Sequence, residues 1–331
     1  ADGRLLIWQC GINMVKDAPW IGHGLGSFEA HYMDYQANFF KQCGQSRFSM
    51  LADNVKQPFN EYLGLLLNFG IIGLLVLLLL MVIIIYCYRK NPSVEKQIAF
   101  YSLSSIGIFS FFSYPFAYPF VWVVTFLSIF IITSEYIKPL FSNILIKKIA
   151  CMFILTYSLF GSSKLFERIQ AELDWGKAST LALCKSYNET LPTYERLEKM
   201  FVSNPYFLYN YAAVLQEMKQ YTESLEVALK CRQYWADYDL ELIIGENYQQ
   251  LNKPELAEKY YNSASMMCPS RFLPLYKLFH LYKTNGEKER SLAMAEAVIS
   301  KPMKIKTTTI RMMKREMERE IQKMNMSIKL E

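Results

Sequence analysis

The chain has 331 residues, 52% of them hydrophobic, and a formal net charge of +6, yet its mean hydropathy is only +0.07. That average excludes a single class. Residues 57–163 are strongly apolar and the remainder has ordinary soluble composition, so a membrane part and a soluble part are joined in one chain.

The opening residues ADGRLL show neither an initiator Met nor a signal-peptide pattern, and they read as the start of a fragment whose missing portion lies upstream. Asp2 can cap a helix in which Leu5, Trp8, Ile12 and Val15 share one face, with Trp8 and Trp20 at headgroup level on a membrane surface. Residues 1–60 carry nine aromatics, which indicates a folded segment. In "DAPWIGHGLGSFEAHYMDYQ" the glycines Gly22, Gly24 and Gly26 alternate, so the backbone can turn tightly or approach a ligand. No strand precedes them and the spacing lacks the final x-x-G, which excludes a dinucleotide fingerprint. His23 and His31 lie here without a nucleophile or metal partner at a recognisable offset, so each reads as a polar loop residue or, more sharply, as a catalyst. Cys10 and Cys43 either pair in an oxidising compartment or stay as small hydrophobes; none of the seven cysteines has metal-ligand spacing.

Tyr62 to Tyr88 is 27 residues without a charge, where about 20 cross a bilayer. Ile98 to Ser134 gives 37 more, with Pro115 and Pro119 at the bend of a helical hairpin. A fourth apolar run, Ile149 to Ser163, can span if it extends back towards Leu140 and lets Lys147 and Lys148 snorkel. The predicted spans are thus 62–88, 98–114, 117–134 and 144–163. Arg89, Lys90 and Lys96 follow the first span, and Lys138, Lys147 and Lys148 follow the third, so both loops are expected in the cytoplasm. Residues 1–60 and everything after about 164 are expected on the opposite side.

Residues 165–303 repeat. Gly245, Tyr248, Ala257, Tyr261, Ala264 and Pro269 resemble the tetratricopeptide pattern of small and aromatic residues where helix A meets helix B. Ala212, Leu215, Ser224, Ala228 and Cys231 occupy matching places one repeat earlier, and Phe279, Tyr282, Ser291, Ala295, Val298 and Pro302 one repeat later. A weaker unit, Trp175 to Pro205, begins the array. Stacked hairpins of this kind make a binding or spacing module, to which a protein partner can dock. The last stretch, residues 301–331, holds nine Lys or Arg against four Asp or Glu and supplies most of the charge excess. A broad basic surface for nucleic acid is therefore not indicated. There Ile310, Met313, Met317, Ile321 and Met324 fall at helical spacing. They cap the solenoid or, alternatively, lay the helix on anionic membrane lipid.

Taken together, Arg4 before Trp8, the run Pro19–Gly22–Gly24–Phe28, and Asn60 followed after nine residues by Gly70 and Gly73 resemble the C-terminal half of the O-antigen ligase and polymerase superfamily. The resemblance covers about residues 3–135, and appended tetratricopeptide repeats occur among such proteins. It implies an all-α polytopic membrane enzyme of the bacterial inner membrane with its active loop in the periplasm. Such an enzyme moves a glycan from undecaprenyl diphosphate to a lipid, polymer or protein acceptor, with no cofactor and no metal. Arg4 matches the family arginine that would hold diphosphate through its guanidinium fork. Its plainer role is an interfacial arginine on an amphipathic helix. Gly22, Gly24, Gly26 and Asn60 would contact substrate.

The chain departs from the family at Phe59, where the family has the histidine favoured as base. Glu61 is the nearest substitute, and His23, His31 and Asp53 are the others. The plainer reading of Glu61 is a boundary carboxylate satisfied by backbone or by a lysine. Three functions follow: a glycan ligase or polymerase, a protein O-oligosaccharyltransferase of the same superfamily, or a noncatalytic repeat scaffold anchored in the membrane.

Overall fold

The structure, a computed structural model, describes residues 2–44, 46–137 and 144–328. Lys138, one of the basic residues expected before the fourth span, lies outside them. Among the described residues all regular elements are helical. The chain divides into two compact units, residues 11–28 with 57–177, and residues 1–10 with 29–56 and 178–331.

The first unit is the membrane part. Helix α3 (Glu61–Lys90) is followed by α4 (Val94–Phe109), a 3-10 turn (Pro115–Ala117) and α5 (Pro119–Ile137). The hairpin bends where its prolines stand, because Pro115 and Pro119 lack the N–H that a continuing helix needs. Asn60 caps α3 by accepting the Leu63 N–H at 2.9 Å, and Ser93 caps α4. Near the Lys90 end, Cys87, Ala99 and Ile132 form a small core. The Tyr88 ring stacks on Phe100 there, and Lys96 bridges to Glu135 at 3.2 Å. Among the described residues three helices are long and apolar enough to cross a membrane: Glu61–Lys90, Pro119–Tyr136 and Lys147–Leu183. The second expected span is shorter than that. α4 has 16 residues, about 24 Å of helix, and its chain turns at Ser110 rather than running on to residue 114.

α6 (Ile144–Leu183) starts where the fourth span was expected but does not stop at residue 163. It runs for 40 residues from an apolar stretch into a charged one. Lys164–Glu167 and Arg168–Glu172 pair at helical spacing there and carry the helix past the apolar boundary.

The second unit is a superhelix. α8 (Pro205–Glu217) pairs with α9 (Tyr221–Arg232), α10 (Tyr238–Gln250) with α11 (Pro254–Met267), and α12 (Leu273–Thr284) with α13 (Lys288–Ser300). Each pair stacks on the next, with α7 (Tyr187–Leu197) before them and α14 (Thr308–Ile328) after. The small residues have a visible cause. A Cβ on Gly245 would come within 2.6 Å of the Tyr261 ring, so only glycine lets these two helices approach. Between the matching helices one repeat earlier, Ser224, at the place of Ala257, donates to the Ala212 carbonyl at 2.8 Å. α14 lays Met317 into a core with Phe272, Phe279, Ala295 and Val298, and Ile310, Met313, Ile321 and Met324 pack around it. This is the capping arrangement, and it uses the helix's whole apolar stripe.

α1 (Asp2–Asp17) and α2 (Ser27–Cys43) each run through both units. In α1 the buried stripe is Leu6, Ile7, Cys10 and Met14, whereas Leu5 and Ile12 are exposed. The helix therefore has a second apolar side beyond the one predicted. All seven cysteines are unpaired, Cys10 and Cys43 included. Burial, then the neighbouring Cys43, pushes the Cys10 thiol up to about 12.

Within the second unit, residues 29–56 dock along the repeat edges. Arg232 at the end of α9 pairs with both Asp34 and Glu241, and Gln36 donates to the Met267 carbonyl at 2.6 Å. Asp237 caps α10 by accepting the N–H groups of Asp239 and Leu240. Burial, then the charge of Asp239, pushes its carboxyl up to about 6. The unfolded value is about 3.9, so the folded state binds more protons between the two and stability falls as pH rises through that window. Asp237→Asn keeps a capping oxygen and removes the charge. It is expected to raise stability near pH 7 by up to about 2 kcal/mol and to change little near pH 4. Melting curves at the two pH values check this; an equal change at both would refute it.

Candidate functional site

The glycine-rich loop and the first membrane helix form one structure. Gly70 has φ 62 and ψ −160, a combination open only to glycine, and it breaks α3 into residues 61–69 and 71–90. A break at membrane depth releases backbone groups that lipid cannot satisfy. The loop satisfies them. The N–H groups of His23 and Gly24 donate to the carbonyls of Leu67 (2.8 Å) and Asn68 (3.0 Å), and those of Ile71 and Ile72 donate to Pro19 (2.8 Å) and Trp20 (3.2 Å).

Such contact between two backbones tolerates no side chain. A Cβ on Gly70 would lie 2.3 Å from the Trp20 oxygen, and one on Gly22, itself at φ 68, would lie 2.6 Å from the Asn68 carbonyl carbon. Gly24 and Gly26 also have positive φ but open space around them. Ser27 closes the junction by donating to the Asn68 amide oxygen at 2.9 Å.

This junction positions His23. Its Nε2 lies 2.8 Å from the Met14 carbonyl, which only accepts, so the neutral ring carries its proton on Nε2 and its lone pair on Nδ1. Beside the break an open apolar groove of about 470 Å³ is lined by Ile21, Leu65, Phe69, Ile72, Gly73 and Val76.

Nine residues earlier in the same helix, Glu61 is anchored to the hairpin. Its N–H donates to the Ser110 carbonyl at 2.9 Å, and its Oε1 accepts the Phe116 N–H at 3.0 Å. Its Oε2 has no partner among the described residues. Asn60 is held at both ends of its amide: its oxygen caps α3 and its nitrogen donates to the Phe111 carbonyl at 3.1 Å. It thus aims Glu61, a positioning role that motif spacing alone does not reveal. Phe59 sits at φ 54, strained for a non-glycine, with its ring edge-on to Tyr114 at 5.3 Å.

The other candidates belong to the repeat-bearing unit. Arg4 and His31 are exposed on α1 and α2. Asp53 is held by Arg271 at 2.7 Å and Lys304 at 3.7 Å. Burial raises its pKa, but the Arg271 bond and charge outweigh that and leave the carboxyl below its ordinary value. A base so acidified draws protons weakly. Sequence reasoning missed Ser27 and Asn68; an Asn inside a charge-free span was the available signal.

Comparison with curated protein sequences finds no match. Among solved structures the chain is similar to YrrB, "a TPR protein with an unusual peptide-binding site", at 19% identity and TM-score 0.35 over 39% of this chain and 66% of that one. It is also similar to MamA from Desulfovibrio magneticus RS-1 at 18% identity and TM-score 0.36, over 44% and 76% of the two chains. Residues 1–78 match the family model described as "O-Antigen ligase", so the segment that holds the glycine loop, Glu61 and the broken span bears the family resemblance that its motifs indicated.

Proposed function

We propose that the protein is a membrane glycan transferase of the ligase or polymerase type, moving a glycan from a polyprenyl diphosphate to an acceptor hydroxyl. The match of residues 1–78 to the O-antigen ligase model carries this reading. The broken span supports it, because irregular backbone at membrane depth is tolerated where it builds a cavity or a site. The groove at the break offers apolar walls to an isoprenoid chain. Glu61, with one oxygen anchored and one open, takes the acceptor proton as the acceptor oxygen attacks the anomeric carbon. The bond from that carbon to the diphosphate then breaks, and the polyprenyl diphosphate leaves as an anion that needs a cation to neutralise it, the role the family resemblance assigns to Arg4. His23 is the alternative base. The enzyme would work at the periplasmic face of a bacterial inner membrane, with a protein partner on the repeats.

Deleting the gene and examining surface polysaccharide and glycoprotein ladders tests the reading. Loss of long lipid-linked chains with normal intermediates marks a ligase, and single-repeat glycans mark a polymerase. Altered glycoprotein alone marks the O-oligosaccharyltransferase. Unchanged ladders in cells that normally express the protein would leave only the scaffold, a reading favoured by Phe59 in place of the family histidine.

A further inference from the structure

α14 has a second face. Its Met and Ile stripe closes the repeat array, but Arg311, Arg315 and Arg319 form an exposed row at four-residue spacing on the rest of the helix. Like charges so placed repel one another and destabilise a helix. An internal acidic partner would offset this, as Glu320 does for Lys283 and Lys323. The side chains of Lys306, Arg311, Arg315 and Arg319 make no ion pair or hydrogen bond among the described residues. Two apolar side chains stand among these cations: Ile305, 65% exposed between Lys304 and Lys306, and Met312, 64% exposed beside Arg311 and one turn from Arg315.

Cations without partners call for an outside anion, and exposed Ile and Met call for an apolar layer beneath it. An anionic phospholipid surface supplies both, whereas an acidic protein or a soluble polyanion supplies only the charge. The covalent chain supports the same choice. Lys304 pairs with Asp53, and Asp53 is eight residues before the membrane helix that starts at Glu61. We propose that α14 is two-sided, capping the repeats with its apolar stripe and docking on anionic lipid with the Arg311–Arg315–Arg319 row, Met312 and the turn at 304–306. This goes beyond the proposed transfer reaction and does not depend on it.

The test uses the full chain in nanodiscs of phosphatidylcholine with or without phosphatidylglycerol. A photocrosslinking benzoylphenylalanine replaces Met312, or Lys253 on an exposed repeat turn as the control. The expected result is a phospholipid adduct at 312, stronger with phosphatidylglycerol and weakened by salt, and none at 253. R311Q/R315Q/R319Q should reduce the adduct about tenfold or more with a melting point no lower than that of the parent, since the apolar stripe is intact and the like-charge repulsion is relieved. Equal adducts in both lipids, an adduct to protein only, no adduct at 312, or an undiminished adduct in the triple variant would each overturn the proposal.

Discussion

Glu61→Gln is expected to abolish glycan transfer while leaving the protein folded. The anchoring bond is an acceptance from the Phe116 N–H at 3.0 Å, and a glutamine oxygen accepts it equally well. The Glu61 N–H bond to Ser110 is backbone and untouched. Only the capacity to take a proton disappears. General-base assistance is worth about 10²- to 10⁴-fold in rate, so kcat should fall by that factor with the melting point in detergent preserved. Glu61→Ala should lose the same activity and also stability, because the Phe116 N–H then loses its partner. A transfer assay on purified protein, run beside a melt, separates the two effects. Full activity in the Gln variant would transfer the base role to another group, of which His23 is the one that the structure positions. In that event His23→Gln becomes the inactive variant.

Parts of this site were legible in the residues and parts were not. The repeats could be read because small and aromatic residues recur at a fixed period, and Gly245 against Tyr261 shows the physical cause. The hairpin bend could be read because proline stops helices locally. The spacing of Asn60, Gly70 and Gly73 marked the segment as special, but its glycines read as close helix packing. Gly70 instead breaks the helix, and that requires a loop some 50 residues earlier to satisfy the released backbone. Periodicity cannot show such a partner. Long range also hid the docking of residues 29–56 on the repeats: Asp34 and Arg232 are 198 residues apart. The extent of α6 was missed for the opposite reason. Hydropathy changes near residue 163, but the backbone has no cause to stop there.

Gly70→Ala is expected to be one of the most damaging glycine-to-alanine substitutions among the described residues. Its backbone conformation excludes a β-carbon, and the added atom would lie 2.3 Å from the Trp20 oxygen. Two responses are open. The break can persist under strain, or residue 70 can turn helical and heal the span, leaving the loop's N–H and C=O groups at 19–24 without partners. In an apolar setting each orphaned group costs several kcal/mol, so either response should lower stability by about 3 kcal/mol or more. Gly22→Ala meets the same backbone from the other side, at 2.6 Å from Asn68, and should show a similar loss. The two substitutions disrupt one junction, so the double variant should be little worse than the worse single. Gly161→Ala is the contrast: it is helical with nothing within 4 Å, and should be neutral or stabilising by about 1 kcal/mol. Thermal melts of the four proteins in one detergent check the set. If Gly70→Ala melts with Gly161→Ala, the span is a continuous helix, and neither His23 nor the groove owes its place to the loop.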